Sequence, residues 1–168
     1  MPLIAAVMAV VAVLTAVLSV FVSKEPETEG GDVQNVPAEY LADVKRAGSI
    51  CQVVTPSIIA AQIDQESNWN PKAGSSAGAQ GIAQFMPSTW ASAGKDGDGD
   101  GKVDLFHVPD AVASLSNYLA RHGWKPGINR AQQHKVLMAY NKSVVYANTI
   151  LALSDIVQGK EQGQLYAT

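Results

Sequence analysis

From Leu3 to Val22 the chain is an apolar run of Leu, Ile, Val, Ala, Met and Phe, relieved only by Thr15 and Ser19. A helix of that length matches the hydrocarbon thickness of a bilayer, and a helix without a polar face belongs in lipid or in a deep core. The run therefore predicts a transmembrane or signal helix over residues 1–23. No Lys or Arg precedes it and no Ala-x-Ala site follows, which favours a retained anchor over a cleaved signal. Residues 24–36 (Lys24 onward, KEPETEGGDVQNV) are acidic, hold Pro26, Gly30 and Gly31, and carry almost no apolar surface, the composition of a flexible stalk.

At Pro37 the periodicity becomes helical. Tyr40, Leu41, Val44 and Ala47 recur at three- and four-residue spacing, with Gly48 as the expected stop. Thr55-Pro56 has the form of an N-cap followed by proline in the first turn, opening a helix through SIIAAQIDQESNW that Asn70-Pro71 should end. A small-residue loop, an apolar stretch IAQFM and a short helix through Trp90 follow, then a Gly/Asp loop from Asp96 to Asp104. Pro109 begins a helix with Val112, Leu115, Tyr118 and Leu119 on one face and Gly123 at its end; Asn129 caps another carrying Val136, Leu137 and Tyr140; a last helix spans about Val144 to Val157. No strand-like alternation interrupts these segments, so the fold class is all-α, with an irregular lobe where the glycines cluster. The folded domain is placed at residues 37–158, and 159–168 form a C-terminal tail.

The net charge of −3, with 12 Lys and Arg and no basic cluster, excludes a nucleic-acid partner. Cys51, the single cysteine, cannot close an internal disulfide and reads as a buried, inert thiol. Along the helix from Pro56, Ile59, Ile63 and Glu66 fall at i, i+4 and i+7, which sets the carboxylate on the same stripe as two isoleucines. Apolar surroundings disfavour the charged form and let a carboxyl keep its proton to higher pH, as a general acid requires. Asp64 projects to the opposite side and reads as a solvated residue.

Three motifs then occur in order: Gln65-Glu66-Ser67-Asn68-Trp69-Asn70-Pro71, Gly81-Ile82-Ala83-Gln84-Phe85-Met86-Pro87-Ser88-Thr89-Trp90, and Ala139-Tyr140-Asn141. Together they resemble the soluble lytic transglycosylase family, whose catalytic domain is similar to goose-type lysozyme. The resemblance covers about Ser49 to Leu153. It implies a lysozyme-like helical domain cleaving peptidoglycan at the MurNAc-GlcNAc β-1,4 bond, with Glu66 as sole catalytic acid/base. Ser67 and Gln84 would line the glycan cleft, Tyr140 and Asn141 would support Glu66, and Tyr146 would be the later tyrosine that reaches the site. One departure stands out, since only Lys142 to Val145 separate Asn141 from Tyr146, where the family has a loop of a dozen or more residues.

A single carboxylate suits this chemistry, because glycosidases that use water commonly need two. The sugar's own C6 hydroxyl would attack C1 and leave a 1,6-anhydroMurNAc end. Two other readings remain at this stage: a hydrolase of the goose-lysozyme kind, and a non-catalytic peptidoglycan-binding module of a secretion or conjugation apparatus. Trp69, Phe85 and Trp90 read as core. In either enzymatic reading the protein works as an extracytoplasmic monomer, held to the membrane by the N-terminal helix or secreted after its cleavage, with peptidoglycan strands as its partner.

The Gly/Asp loop carries a second signal. Asp96, Asp98 and Asp100 occupy positions 1, 3 and 5 of an EF-hand loop, Gly101 position 6, Lys102 the carbonyl position 7, and Asp104 position 9. His107 stands where a bidentate Glu is usual, with Asp110 as a substitute. The pattern predicts a structural Ca2+, with no cofactor required for the chemistry. His107, His122 and His134 have no metal-ligand spacing among themselves and are expected to be ordinary histidines.

Overall fold

The structure, a computed structural model, describes residues 35–51 and 54–158. The expected membrane helix, most of the stalk, the C-terminal tail and the side chain of Cys51 lie outside the described residues. Among those described, no helix is long and apolar enough to cross a membrane.

Among the described residues six helices follow one another: α1 (Leu41–Cys51), α2 (Pro56–Ser67), α3 (Pro87–Ala93), α4 (Val108–Arg121), α5 (Arg130–Tyr140) and α6 (Val144–Val157). The all-α expectation holds; Gly74, Gln80 and Phe85 make only isolated antiparallel bridges in the glycine-rich lobe. α2 is the axis of the domain. It packs chiefly on α6 and also on α1 and α4, while α1 lies along α4 and α5 along α6.

The helix limits differ from the sequence reading in instructive ways. α1 begins at Leu41 rather than Pro37, and it continues past Gly48 to Cys51. Gly48 serves close packing instead of termination: a Cβ there would meet the Pro56 ring at 3.0 Å. α2 ends at Ser67, three residues before Asn70, because Asn68 turns left-handed (φ 48°) and its N–H returns to the Asp64 carbonyl. Thr55 takes the cap position without capping; its hydroxyl bonds Ser57 Oγ at 3.0 Å. Asn129 does cap α5, in a reciprocal capping box with Gln132.

The core joins Ile58, Ile59 and Ile63 of α2 to Val112, Leu115 and Leu119 of α4, Leu137 of α5 and Ile150 and Leu151 of α6. From Ser57 to Ile63 every residue of α2 is buried, so this stretch is enclosed on all sides rather than amphipathic. Arg130 at the start of α5 bonds the largely buried Asp155 near the end of α6 at 2.7 Å, locking that helical pair.

Candidate active site

Glu66 occupies the last turn of α2, where the enclosed stretch meets the surface; it is half-buried while Asp64 is exposed. α6 brings Tyr146 to it. Ser143 caps α6 by accepting the Tyr146 N–H at 3.2 Å, and the Tyr146 hydroxyl donates to Glu66 Oε1 at 2.6 Å. The four-residue connection Lys142 to Val145 is therefore long enough to deliver this tyrosine to the carboxylate.

Two effects compete at Glu66. Burial raises its pKa above the usual carboxylate value, and the Tyr146 hydroxyl, which bonds the ionised form, lowers it; burial is the larger. The phenol of Tyr146 is pushed well up by burial and by the adjacent carboxylate, so it stays a donor.

The glycine-rich lobe forms another part of this region. Gly81 (φ 76°) could not carry a side chain, because a Cβ would lie 2.7 Å from Leu105 Cδ2 and 2.9 Å from its carbonyl. Gln84 is half-buried and left-handed (φ 50°), and its amide donates to the Gly81 carbonyl at 2.9 Å, closing the turn. Tyr140 stands edge-on to Phe85 and to Tyr118, with its hydroxyl donated to the Ala83 carbonyl. Its phenol is raised strongly, first by burial and then by Glu66. Tyr140 thus fastens the lobe to α5. Ser67 Oγ bonds the Ile63 carbonyl at 3.3 Å, and Asn141, exposed, ends α5. Phe85 is buried, and Trp69 and Trp90 are partly buried against the core, as expected.

Sequence reasoning missed Gln62. It is fully buried, donates Nε2 to the Tyr146 hydroxyl oxygen at 3.0 Å, and leaves its Oε1 without a partner. Its place one turn before Glu66 is visible in the sequence, but its partner, 84 positions away, is not.

In the Asp96–Asp104 loop the carboxylates of Asp96, Asp98 and Asp100 converge within 4.8 Å of one another. Asp96 accepts the N–H groups of Gly101 and Gly99, which hold its pKa down; Asp98 accepts from Asp100, and Asp100 from Lys102. The Lys102 ammonium lies 3.9 Å from Asp100. Asp104 is outside this group, its carboxylate accepting from Phe106 N at 2.9 Å. Asp110 is fully buried and accepts Gly97 N and Asp104 N, both at 2.8 Å. The His107 ring lies 3.7 Å from Asp98 and 3.5 Å from Asp110, beside the acidic loop.

Comparisons with known proteins bear on the same segment. Residues 57–133 match the family described as Transglycosylase SLT domain. The membrane-bound lytic murein transglycosylase B of Escherichia coli (strain K12) is 41% identical over 70 residues, covering 42% of this chain. This chain spans 19% of that relative's length. Among solved structures, the Escherichia coli lytic transglycosylase SLT35 superposes with a TM-score of 0.63 in complex with bulgecin A and 0.61 in complex with calcium, at 19% identity over 71% of this chain and 70% of that one. SltB3 from Pseudomonas aeruginosa, in complex with NAG-anhNAM-pentapeptide, gives 0.63 at 18% identity over 73% of this chain and 61% of that one. At these identities the superpositions establish a common helical fold.

Proposed function

Proceeding from residues 57–133 as a transglycosylase SLT domain, we propose that the protein is a peptidoglycan lytic transglycosylase cleaving the MurNAc-GlcNAc β-1,4 bond, with Glu66 as its single acid/base. The observation that carries this reading is the short Tyr146–Glu66 hydrogen bond on a carboxyl whose proton affinity is raised by burial.

In the first step protonated Glu66 gives its proton to the glycosidic oxygen as the C1–O bond breaks, and the GlcNAc hydroxyl leaves neutral. Positive charge develops at C1, which the 2-acetamido group can share. Glu66, now a carboxylate, accepts the C6 hydroxyl proton while that oxygen bonds C1 and closes the 1,6-anhydro ring. Glu66 ends protonated, and no water enters the balance. Because the nucleophile belongs to the same ring, no second carboxylate is needed to position it. Tyr146 supports the carboxylate in the interval between the two proton transfers. Tyr140 and Gln84 hold the Gly81–Phe85 turn, and the motif positions of Ser67 and Asn141 assign them to substrate binding. The product found with SltB3, NAG-anhNAM-pentapeptide, is of the kind this route makes.

For calcium, the donor set decides the fit. Three carboxylates sharing one small volume favour a hard cation with oxygen ligands, and the backbone N–H bonds already set Asp96, Asp98 and Asp100 in place. Lys102, through its backbone carbonyl, and Asp104 would be the further residues the loop pattern offers to such an ion. A bound Ca2+ would neutralise the cluster and hold the loop; it would take no part in bond cleavage. The complex of SLT35 with calcium supports this assignment.

The apolar run Leu3 to Val22 and the membrane-bound character of the relative support an extracytoplasmic placement next to the membrane, with peptidoglycan strands as partner. Digestion of purified peptidoglycan tests the activity. Muropeptides one water lighter than hydrolytic products and resistant to borohydride are expected. Reducible MurNAc ends would move the protein to the hydrolases, and co-sedimentation with sacculi without soluble product would mark a binding module.

A further inference from the structure

We propose that Gln62 is a positioning residue for this reaction: by donating its amide to the Tyr146 hydroxyl oxygen, it aims the tyrosine's proton at Glu66. The inference rests on the acid/base reading of Glu66 given above. A phenol has one proton, and its oxygen accepts along the remaining directions. With Gln62 Nε2 at 3.0 Å from that oxygen and Glu66 Oε1 at 2.6 Å, the arrangement that satisfies both contacts when Glu66 is ionised runs from amide to hydroxyl to carboxylate. Bonds in series polarise one another, so an accepted hydrogen bond makes the tyrosine a stronger donor.

Burial gives the second reason. Gln62 is fully enclosed, and its Oε1 is the single buried side-chain atom among the described residues without a partner. An unmatched amide oxygen costs stability that an apolar residue of similar size would not. Packing alone therefore favours Leu or Met at this position, and the amide is explained by what it does to Tyr146. Two further phenols face this region, Tyr140 from α5, which interacts with the same carboxylate, and Tyr118 from α4, which stands edge-on to Tyr140; on α2 itself Asp64 is exposed. Burial holds both above the usual phenol range, so neither titrates with Glu66.

The test is a 13C NMR titration of the Glu66 carboxyl in the full chain, in wild type, Gln62→Leu, Tyr146→Phe and the double variant, with Gln62→Met as a second, unbranched replacement. Weakening the tyrosine's donation should raise the Glu66 midpoint by about a few tenths of a pH unit, as expected for loss of cooperative strengthening. In the Tyr146→Phe background the same change at position 62 should leave the midpoint where it is. The alkaline limb of kcat should follow the midpoint while KM stays constant. An unmoved midpoint in both single Gln62 variants would overturn the proposal, and so would an equal rise in the presence and absence of the tyrosine hydroxyl. Titration does not depend on turnover, so a chain yielding no anhydro product would sink the lytic reading and leave this measurement intact.

Discussion

The acid/base role proposed for Glu66 draws on its place at the boundary between an enclosed helix and the surface. Its charged form is the disfavoured one, which has a thermodynamic signature. An acid whose folded pKa is raised above the unfolded value contributes most stability below the unfolded value, and that contribution is lost as pH rises through the folded pKa. Glu66→Gln removes the ionisation. It should abolish cleavage and, at neutral pH, raise the Tm by about 3 °C, on the order of 1 kcal/mol for a chain of this size. The gap should close as the pH is lowered toward the ordinary carboxylate range, a trend that calorimetry at several pH values would follow. Tyr146→Phe acts in the opposite chemical sense, since it takes a donor from the carboxylate. The Glu66 pKa then rises further, the alkaline limb of kcat moves to higher pH, and kcat falls about tenfold, as expected for loss of one charge-assisted hydrogen bond. A pH-rate profile measured beside wild type decides this. The half-buried place of Glu66 was legible because two isoleucines mark its stripe, while its role was suggested by the motif around it. Gln62 was not legible, because a single polar residue in an apolar run carries no sign of which neighbour it will meet 84 positions later.

At the level of elements, periodicity located every helix of the described region but misjudged where some of them stop. The error at Gly48 has a general cause: glycine ends helices, and it also permits close approach, and only the position of Pro56 distinguishes the two. The end of α2 is a similar case. Asn68 and Trp69 are both left-handed, at φ 48° and 62°, in a segment where Pro71 had seemed the natural breaker. Trp69 then stacks on Tyr40 with ring centres 5.9 Å apart, a contact between segments that no local pattern encodes. The acidic loop was legible in its first half, where alternate aspartates fix the geometry. Its closing residues depend on tertiary contacts with Asp110 and His107. Added calcium should raise the Tm progressively above the dissociation constant, and Asp98→Ala combined with Asp100→Ala should erase the response. Coincident melting curves in calcium and in chelator would remove the metal from the description.

On the scale of the whole molecule, the helical fold draws the proposed site from both halves of the chain. Glu66 and Gln84 come before the acidic loop, Tyr140 and Tyr146 after it, and the principal helix contacts, α1 with α4 and α2 with α6, also cross that divide. The loop itself is hung from a single buried side chain. Asp110 holds Gly97 at one end and Asp104 at the other, while Gly99 and Gly101 at the tip have nothing close enough to touch an added Cβ. The backbone link between residues 98 and 102 is thus not what keeps the halves together. A chain severed there, by a protease or by expression as two polypeptides, should reassemble into one catalytically competent particle that elutes as a unit on size exclusion. With the proposed activity, such a pair would behave as a split enzyme, reporting whether its two pieces have been brought into the same compartment.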